Sequence, residues 1–481
     1  MRGFRAVVLA SAAVALALPA SADMIVKLKD GRSLVLPVNP GDIESVTFGT
    51  APPAAAGAKA ATVAPVPLDS SAPPAVAGAP GANPALLPHD ALLPAALKPD
   101  SPSGRVLHVG PAREIKTIEQ ASKLAKDGDV IEIDSGDYRG DVATWSANDI
   151  VIRGIGGRPH LIADGNAAQG KGIWVTHGNK IRIENIEFSG ATVHDGNGAG
   201  IRGEGAGLTI VNCYFHDNEE GILTAPNANS DIDIESSEFA RNGSDSGRVH
   251  GIYIGDIRTL IVRGSYFHGQ IIGHHIKSRA ATNYILYNRI MDFGDGTASY
   301  SIDLSNGGRS YVIGNIIEKG PRADNYASIA YAMEGPTKDV QELYVVGNTM
   351  LMDRSSGIFV RSRGPNPAFI ADNIFAGPGA VLQGAGKLIN NVVSGGRNDP
   401  ELNANGNQGN RVVGDVRFVD AAHGDYHLLP GSPAIGAGAD PGQGAGFKLL
   451  PNYEPLSPLG IAARPSTGTV DAGALRFQPK S

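Results

Sequence analysis

The chain has 481 residues, 63 of them glycine, a single cysteine and a formal net charge of -7. An acidic balance argues against nucleic acid as the main partner, and any acidic ligand would need a local basic patch. The lone Cys213 excludes an internal disulfide, so stability must come from packing, and the thiol itself reads as a packed small side chain.

In chain order, residues 1–22 read as a secretory signal. Arg2 and Arg5 form the charged start, Ala6 to Leu18 the apolar run and Ala20-Ser21-Ala22 the small-residue cleavage site. The run is too short to cross a bilayer and no other stretch is a candidate. The expected protein is exported, periplasmic or extracellular, monomeric and without a membrane span after cleavage. Residues 23–50 contain MIVKLKDGRSLVLPV, a hairpin pattern around Asp30-Gly31 that is too short to be stable alone. Residues 51–103 are an Ala/Pro-rich linker. Thr117 to Lys126 has helical periodicity, with Ile118, Ala121, Leu124 and Ala125 on one face. Such a helix would cover the open end of a stack of strands.

Residues 104–397 repeat. HGIYIGDIRTLIVRGSYFHG, HHIKSRAATNYILYNRIMDFGDG, SYSIDLSNGGRSYVIGNIIEKG and SIAYAMEGPTKDVQELYVVGNTM each hold short apolar strands separated by turns. A period of about twenty to thirty residues with strands and no helix predicts an all-β parallel solenoid. Ile173, Ile201, Ile222, Ile252, Ile276, Ile302, Ile329 and Ile358 form an inward column. Asn185, Asn212, Asn288, Asn315, Asn348, Asn373 and Asn391 close a second strand in each unit and predict a buried amide ladder. Residues 398–481 are irregular and are expected to lie along or cap the last coils.

The opening DGDVIEIDSGDYRG, the strands ending in Asn and the closing GDYHLLPGSPAIGAG resemble the right-handed parallel β-helix proteins of the pectin-lyase-like superfamily, over Arg105 to Phe477. The resemblance implies the fold. It does not choose among the lyases, hydrolases, epimerases and inert binders that share it.

Strand alternation then assigns outward positions. With the isoleucines inside, Tyr253, Lys277, Asp303 and Ala330 point out, and two residues on come Glu204, Gly255, Arg279, Ser305, Ala332 and Arg361. His275, one residue before the column, is also expected outside. His250 and His274 sit at strand entrances, and Glu334 and Arg363 lie farther along. This grouping suits β-elimination of a uronic-acid polymer. Cations neutralise the substrate carboxylate, a base removes the C5 proton, and an acid protonates the leaving oxygen. The catalytic candidates are Lys277, as a base whose pKa Arg279 would lower, then Arg279, Tyr253 and His275. The substrate-binding candidates are Arg202, His250, His274, Asp303, Glu334, Arg361 and Arg363.

IKSRAATNYILYNRI is similar to the lysine-bearing coil of the β-helical alginate and chondroitin B lyases of polysaccharide lyase family six, with Lys277, Ser278, Asn283 and Asn288 matching. That family carries Leu-Arg-His-Gly on the next coil. Here SIDLSNGG stands there, so either Tyr253, His275 or Arg279 takes the acid role or the site is not a lyase of that kind. A glycoside hydrolase needs carboxylates about 5 to 9.5 Å apart. Strand arithmetic places Glu204 roughly 19 Å and Glu334 roughly 14 Å from Asp303, which argues against one. A polyuronate epimerase would carry Asp-Pro-His-Asp on a coil, and the nearest string, Pro88-His89-Asp90, lies in the linker. A non-catalytic binder of polysaccharide or of a cell-envelope polymer is the remaining class. The residues fix no particular cofactor. Ca2+ has two acidic turns to consider, HDNEEG (His216 to Gly221) and DFGDG (Asp292 to Gly296), whose spacing suits polar turns better than a calcium loop.

Overall fold

A computed structural model describes residues 24–27, 33–36, 104–395, 400–464 and 468–478. The expected leader and linker lie outside the described residues. The chain forms two units, Met1–Leu86 and Leu87–Ser481. In the first, Met24–Lys27 pairs antiparallel with Ser33–Leu36, the hairpin that the alternation around Asp30-Gly31 predicts.

The second unit is a parallel β-helix. Sheet I holds ten strands in order, from Ala143–Trp145 to Gly379–Gln383, each paired in parallel with the strand one coil away. The long strands Val130–Arg139 and Val151–Ile162 span both remaining sheets; sheet II continues from Ile181–Glu184 to Gly386–Ile389 and sheet III from Glu187–Ser189 to Arg411–Val413. The core column of sheet I is Trp174, Ile201, Ile222, Ile252, Ile276, Ile302, Ile329 and Val360. Ile173 and Ile358 are therefore one and two residues out of register. Both sit in all-apolar runs, Ile173-Trp174-Val175 and Ile358-Phe359-Val360, where alternation gives no phase. Sheet III contributes a stack of Phe188, Phe215, Phe239 and Phe267, with centroids 4.6 to 5.0 Å apart and rings nearly parallel. Burying each ring contributes about 1.5–3 kcal/mol.

The turn between sheets II and III is built from two columns. The first residue is left-handed in every coil: Asn185, Asn212, Ser236, Gly264, Tyr287, Gly314, Gly347, Asp372 and Asn390 have φ between 44° and 68°. The next residue forms the ladder. Each of Asn288, Asn315, Asn348, Asn373 and Asn391 donates its backbone N–H and its Nδ2 to the Oδ1 of the following asparagine at 2.8–3.0 Å, ending on Asn410. Asn185 and Asn212 thus belong to the left-handed column, whose backbone asparagine tolerates better than most residues. In the earlier coils Ser265, Ser237 and Cys213 take the ladder position. Cys213 is buried, and that burial pushes its thiol up to about 12, so it is inert packing.

The helix spans Ile118–Leu124. Thr117 caps it through Oγ1, and Asp141 accepts the N–H groups of Ile118 and Glu119. Ile118 and Ala121 face the core, whereas Leu124 is 50% exposed, so the apolar face is narrower than its periodicity suggests. At the other end, residues 418–464 return along the outside of sheets II and III. Phe447 packs on Tyr284 and Tyr311, Tyr311 Oη donates to Gly444 O at 2.9 Å, and Arg289 donates to Gly424 O. These contacts of the segment fall on sheets II and III. Among the described residues no helix is long and apolar enough to cross a membrane.

Candidate active site

The outward column of sheet I reads Val175, Arg202, Leu223, Tyr253, Lys277, Asp303, Ala330, Arg361 and Gln383. Tyr253, Lys277 and Asp303 are therefore stacked neighbours, as alternation predicts, and Arg361 joins this column instead of the next one. A local turn adds the fourth member. Ala332 is left-handed (φ 57°), Gly335 N–H bonds to Ala332 O, and Glu334 and Thr337 N–H bond to Ser305 and Asn306 O, so the turn bulges out while the segment still follows the coil below. Glu334 Oε1 then lies 2.8 Å from Lys277 Nζ. Asp303 Oδ2 lies 3.4 Å from the same nitrogen, so the two carboxylates are less than twice that distance apart. The separation of roughly 14 Å expected from straight strands is overturned by this turn.

Arg279 ties the cluster together. Its Nε donates to Tyr253 Oη at 2.9 Å, its Nη1 to Asn306 Oδ1 at 2.6 Å and its Nη2 to Glu334 Oε2. Lys277 Nζ and the Arg279 guanidinium lie 5.4 and 5.7 Å from the centre of the Tyr253 ring. Burial alone would lower the Lys277 ammonium, but Asp303 and Glu334 outweigh it and hold the pKa above its ordinary value. The expectation that Arg279 would depress it is thereby reversed. Burial raises Glu334, yet the bonds from Lys277 and Arg279 win and keep it below the usual carboxylate range. For Asp303 burial outweighs Lys277 and the pKa rises. Its Oδ2 accepts from Ser305 Oγ at 2.7 Å, while its buried Oδ1 has no hydrogen-bond partner among the described residues.

The strand entrances supply an aromatic pile. His250 and His274 stack at 4.7 Å and Tyr300 lies 5.0 Å beyond. His274 N–H donates to His250 Nδ1, and Tyr300 N–H donates to His274 Nδ1. Each neutral ring must then carry its proton on Nε2, and that of His274 faces Asp303 Oδ2 at 3.5 Å. Burial, helped by Lys277, pushes His250 down to about 3, so both rings are neutral donors. Beneath them Glu220 Oε2 accepts His250 N–H, and burial raises this carboxyl well above its ordinary value.

His275 is not part of the site. It is 1% exposed, its Nε2 is 2.8 Å from Asp292 Oδ1, and Asp292 Oδ2 faces the fully buried Lys319 at 3.5 Å. The strand begins at Ile276, so the alternation rule does not extend to the residue before it. Arg202 and Arg361 each lie three coils from Lys277, about 14 Å. Arg202 faces Glu204 at 3.7 Å, Arg361 covers the Tyr326 ring, and Arg363 is exposed past the strand end. Asn306, Tyr300 and Glu220 escape a reading of the sequence. For Asn306 the available signal is the Asn306-Gly307-Gly308 turn, whose glycines have φ of 76° and 95°. Neither acidic turn gathers its carboxylates. Glu219 caps the N–H groups of Val193 and Gly198, and Glu220 and Asp292 point inward.

The fold and its outward charged cluster define a parallel β-helix with a built polar site on sheet I. A family model described as "Right handed beta helix region" matches residues 160–317, which include Tyr253, Lys277, Arg279 and Asp303. Among solved structures, a pectate lyase, Pel9A, is similar at 13% identity over 78% of this chain and 96% of its own, with a TM-score of 0.49. An alginate lyase from Paenibacillus sp. str. FPU-7 is similar at 19% identity over 59% of this chain and 99% of its own, with a TM-score of 0.43. No curated protein matches the sequence.

Proposed function

We propose that this protein binds a uronic-acid-containing polysaccharide along sheet I and cleaves it by β-elimination at Tyr253, Lys277 and Arg279. The observation that carries the reading is Glu334. One carboxylate already bridges Lys277 Nζ and Arg279 Nη2, so a carboxylate-shaped, doubly cationic cradle is built into the sheet. A substrate uronate that displaces Glu334 would have its charge neutralised there, which acidifies the adjacent C5–H. The base is the phenolate form of Tyr253, whose Oη accepts from Arg279 Nε and takes that proton to become the phenol. The electron pair forms the C4–C5 double bond, the C4–O4 bond breaks, and O4 takes a proton from the Lys277 ammonium. Because Lys277 is held charged, it suits the acid role better than the base role expected from the sequence. His250 and His274 offer fixed Nε2–H donors beside it.

The test is a panel of uronate polymers followed by the ultraviolet absorbance of the unsaturated product. The wild type should generate it, and Tyr253→Phe and Lys277→Ala should each lower the rate by about 10²–10⁴-fold. Absence of an unsaturated sugar from every polymer would sink the elimination. A second reading, hydrolysis, is favoured by one observation: Asp303 and Glu334 flank one ammonium and their pKa values are pushed in opposite directions. It predicts saturated reducing ends. Binding without either product would leave the non-catalytic class.

A further inference from the structure

Sheet III carries a second cluster, remote in register from Lys277 and independent of the proposed elimination. His160 lies in the long strand Val151–Ile162, Glu187 in Glu187–Ser189 and His216 in Tyr214–His216, one on each of three successive coils. His160 and Glu187 are directly opposed in the ladder. His216 is two residues along on the next coil, so the three side chains meet on a diagonal.

We propose that His160, Glu187 and His216 form a binding site for a divalent transition metal of the zinc type. Three observations carry it. One ligand atom from each residue lies within 4.8 Å of the others. His216 Nε2 and His160 Nε2 are 3.0 and 3.5 Å from the same Glu187 Oε1. Bonds of about 2.0–2.1 Å to a tetrahedral centre would set ligand atoms roughly 3.3 Å apart, so little movement is needed to admit an ion. The outer contacts also have the form that orients metal-bound imidazoles. His216 Nδ1 is 2.6 Å from Asp217 Oδ2, and Arg241 in turn holds Asp217 through two bonds. His160 Nδ1 faces Asp137 at 3.8 Å. Both histidines thus turn Nε2 to the shared carboxylate and Nδ1 to a carboxylate behind. Ser189 Oγ, 2.7 Å from His160 Nε2, is the remaining polar contact. The side chains of His160, Glu187 and His216 are 25, 23 and 14% exposed, which leaves an entry path and room for water to complete the coordination.

Two imidazoles with one carboxylate select a zinc-type ion over Ca2+, which takes oxygen ligands only. The competing occupant is a proton on His216 Nε2, shared with Glu187. With no disulfide available, a metal here would cross-link three coils near the start of the helix.

The experiment uses the full chain without tag histidines, stripped with chelator and titrated with zinc alone by calorimetry, with calcium as the second arm. Zinc should bind one per chain and raise the melting temperature, and calcium should do neither. Asp217→Asn should weaken zinc about 10–100-fold, and His160→Ala and Glu187→Gln by at least as much. Lys277→Ala should bind zinc as the wild type does. Cobalt added to the unmutated protein gives a readout that needs no variant, since nitrogen–oxygen coordination produces visible d–d absorption that zinc bleaches. Failure of zinc to bind the wild type, equal affinity in His160→Ala and Glu187→Gln, or colourless cobalt protein would each overturn the site and leave the shared proton as its occupant.

Discussion

The ladder from Asn288 to Asn410 and the outward column from Arg202 to Arg361 run through overlapping coils of one β-helix, under opposite rules. In the ladder each coil from Asn288 to Asn391 repeats the same residue, every amide is buried, and each Oδ1 from Asn315 onward receives two N–H groups from the previous coil. In the outward column no residue repeats between neighbouring coils from Arg202 to Arg361, charges face one another, and Asp303 Oδ1 is left without a partner among the described residues. Identity between coils lets hydrogen bonds polarise and saturate one another, which specifies register. Difference between coils builds a local site on a scaffold whose repeats would otherwise be equivalent.

The largest expected effect breaks the ladder. Asn315→Ala removes the acceptor of two N–H groups from Asn288 and the donor to Ile285 O and Asn348 Oδ1. Several buried groups lose partners at once, so destabilisation of about 3–5 kcal/mol is expected in urea, followed by the fluorescence of the buried Trp145 and Trp174. Ser305→Ala on the outward face removes one donor to Asp303 Oδ2, which keeps Lys277 beside it, and should cost less, about 1–2 kcal/mol. Similar costs for the two would abolish the contrast.

A smaller effect separates the two regions by pH. Folded His250 is held at about 3, against an ordinary 6.5 when unfolded. Between those values the unfolded chain binds more protons, so stability rises with pH and is lost as pH falls from about 6.5 towards about 3. In His250→Asn the amide oxygen replaces Nδ1 as acceptor of His274 N–H but does not titrate. The variant should lack a component on the order of 1–3 kcal/mol across that window. Parallel wild-type and variant stability curves would show that the ring is not held neutral. Asn315→Ala should leave this pH slope intact.

Much of the ladder and of the core column is legible in the sequence because both depend on periodicity. Alternation phases a strand when polar and apolar residues take turns, as in Ile252-Tyr253 or Ile276-Lys277. It cannot phase Ile173-Trp174-Val175, where the expected register is off by one. It also fails at strand edges, which is why His275 reads as outward although it is locked to Asp292. Glu334 is out of reach for another reason: the connection from Tyr331 to Glu342 is longer than its counterpart from Leu304 to Arg309, and no period announces where the extra residues of a turn place a side chain. The cluster of His160, Glu187 and His216 is hidden because Glu187–Ser189 and Tyr214–His216 are too short for alternation to phase, and its ligands lie a coil apart in sequence.

The smallest expected effect sharpens the comparison at the site itself. Glu334 is 43% exposed at its side chain, the least covered member of the cluster, whereas Lys277 and Asp303 beneath it are 11 and 3% exposed. An exposed counter-ion over buried cations is exchangeable in a way no ladder amide is. Glu334→Gln keeps the shape but removes the charge that a substrate carboxylate must displace. Under elimination KM for a uronate polymer should fall about 3–10-fold, with kcat moving less, and the gain should shrink as salt rises. Under hydrolysis the same substitution removes a reacting carboxylate, and kcat should collapse by about 10²–10⁴-fold. The direction of kcat against KM in this one variant therefore distinguishes a displaced stand-in for the substrate from a participant in the chemistry.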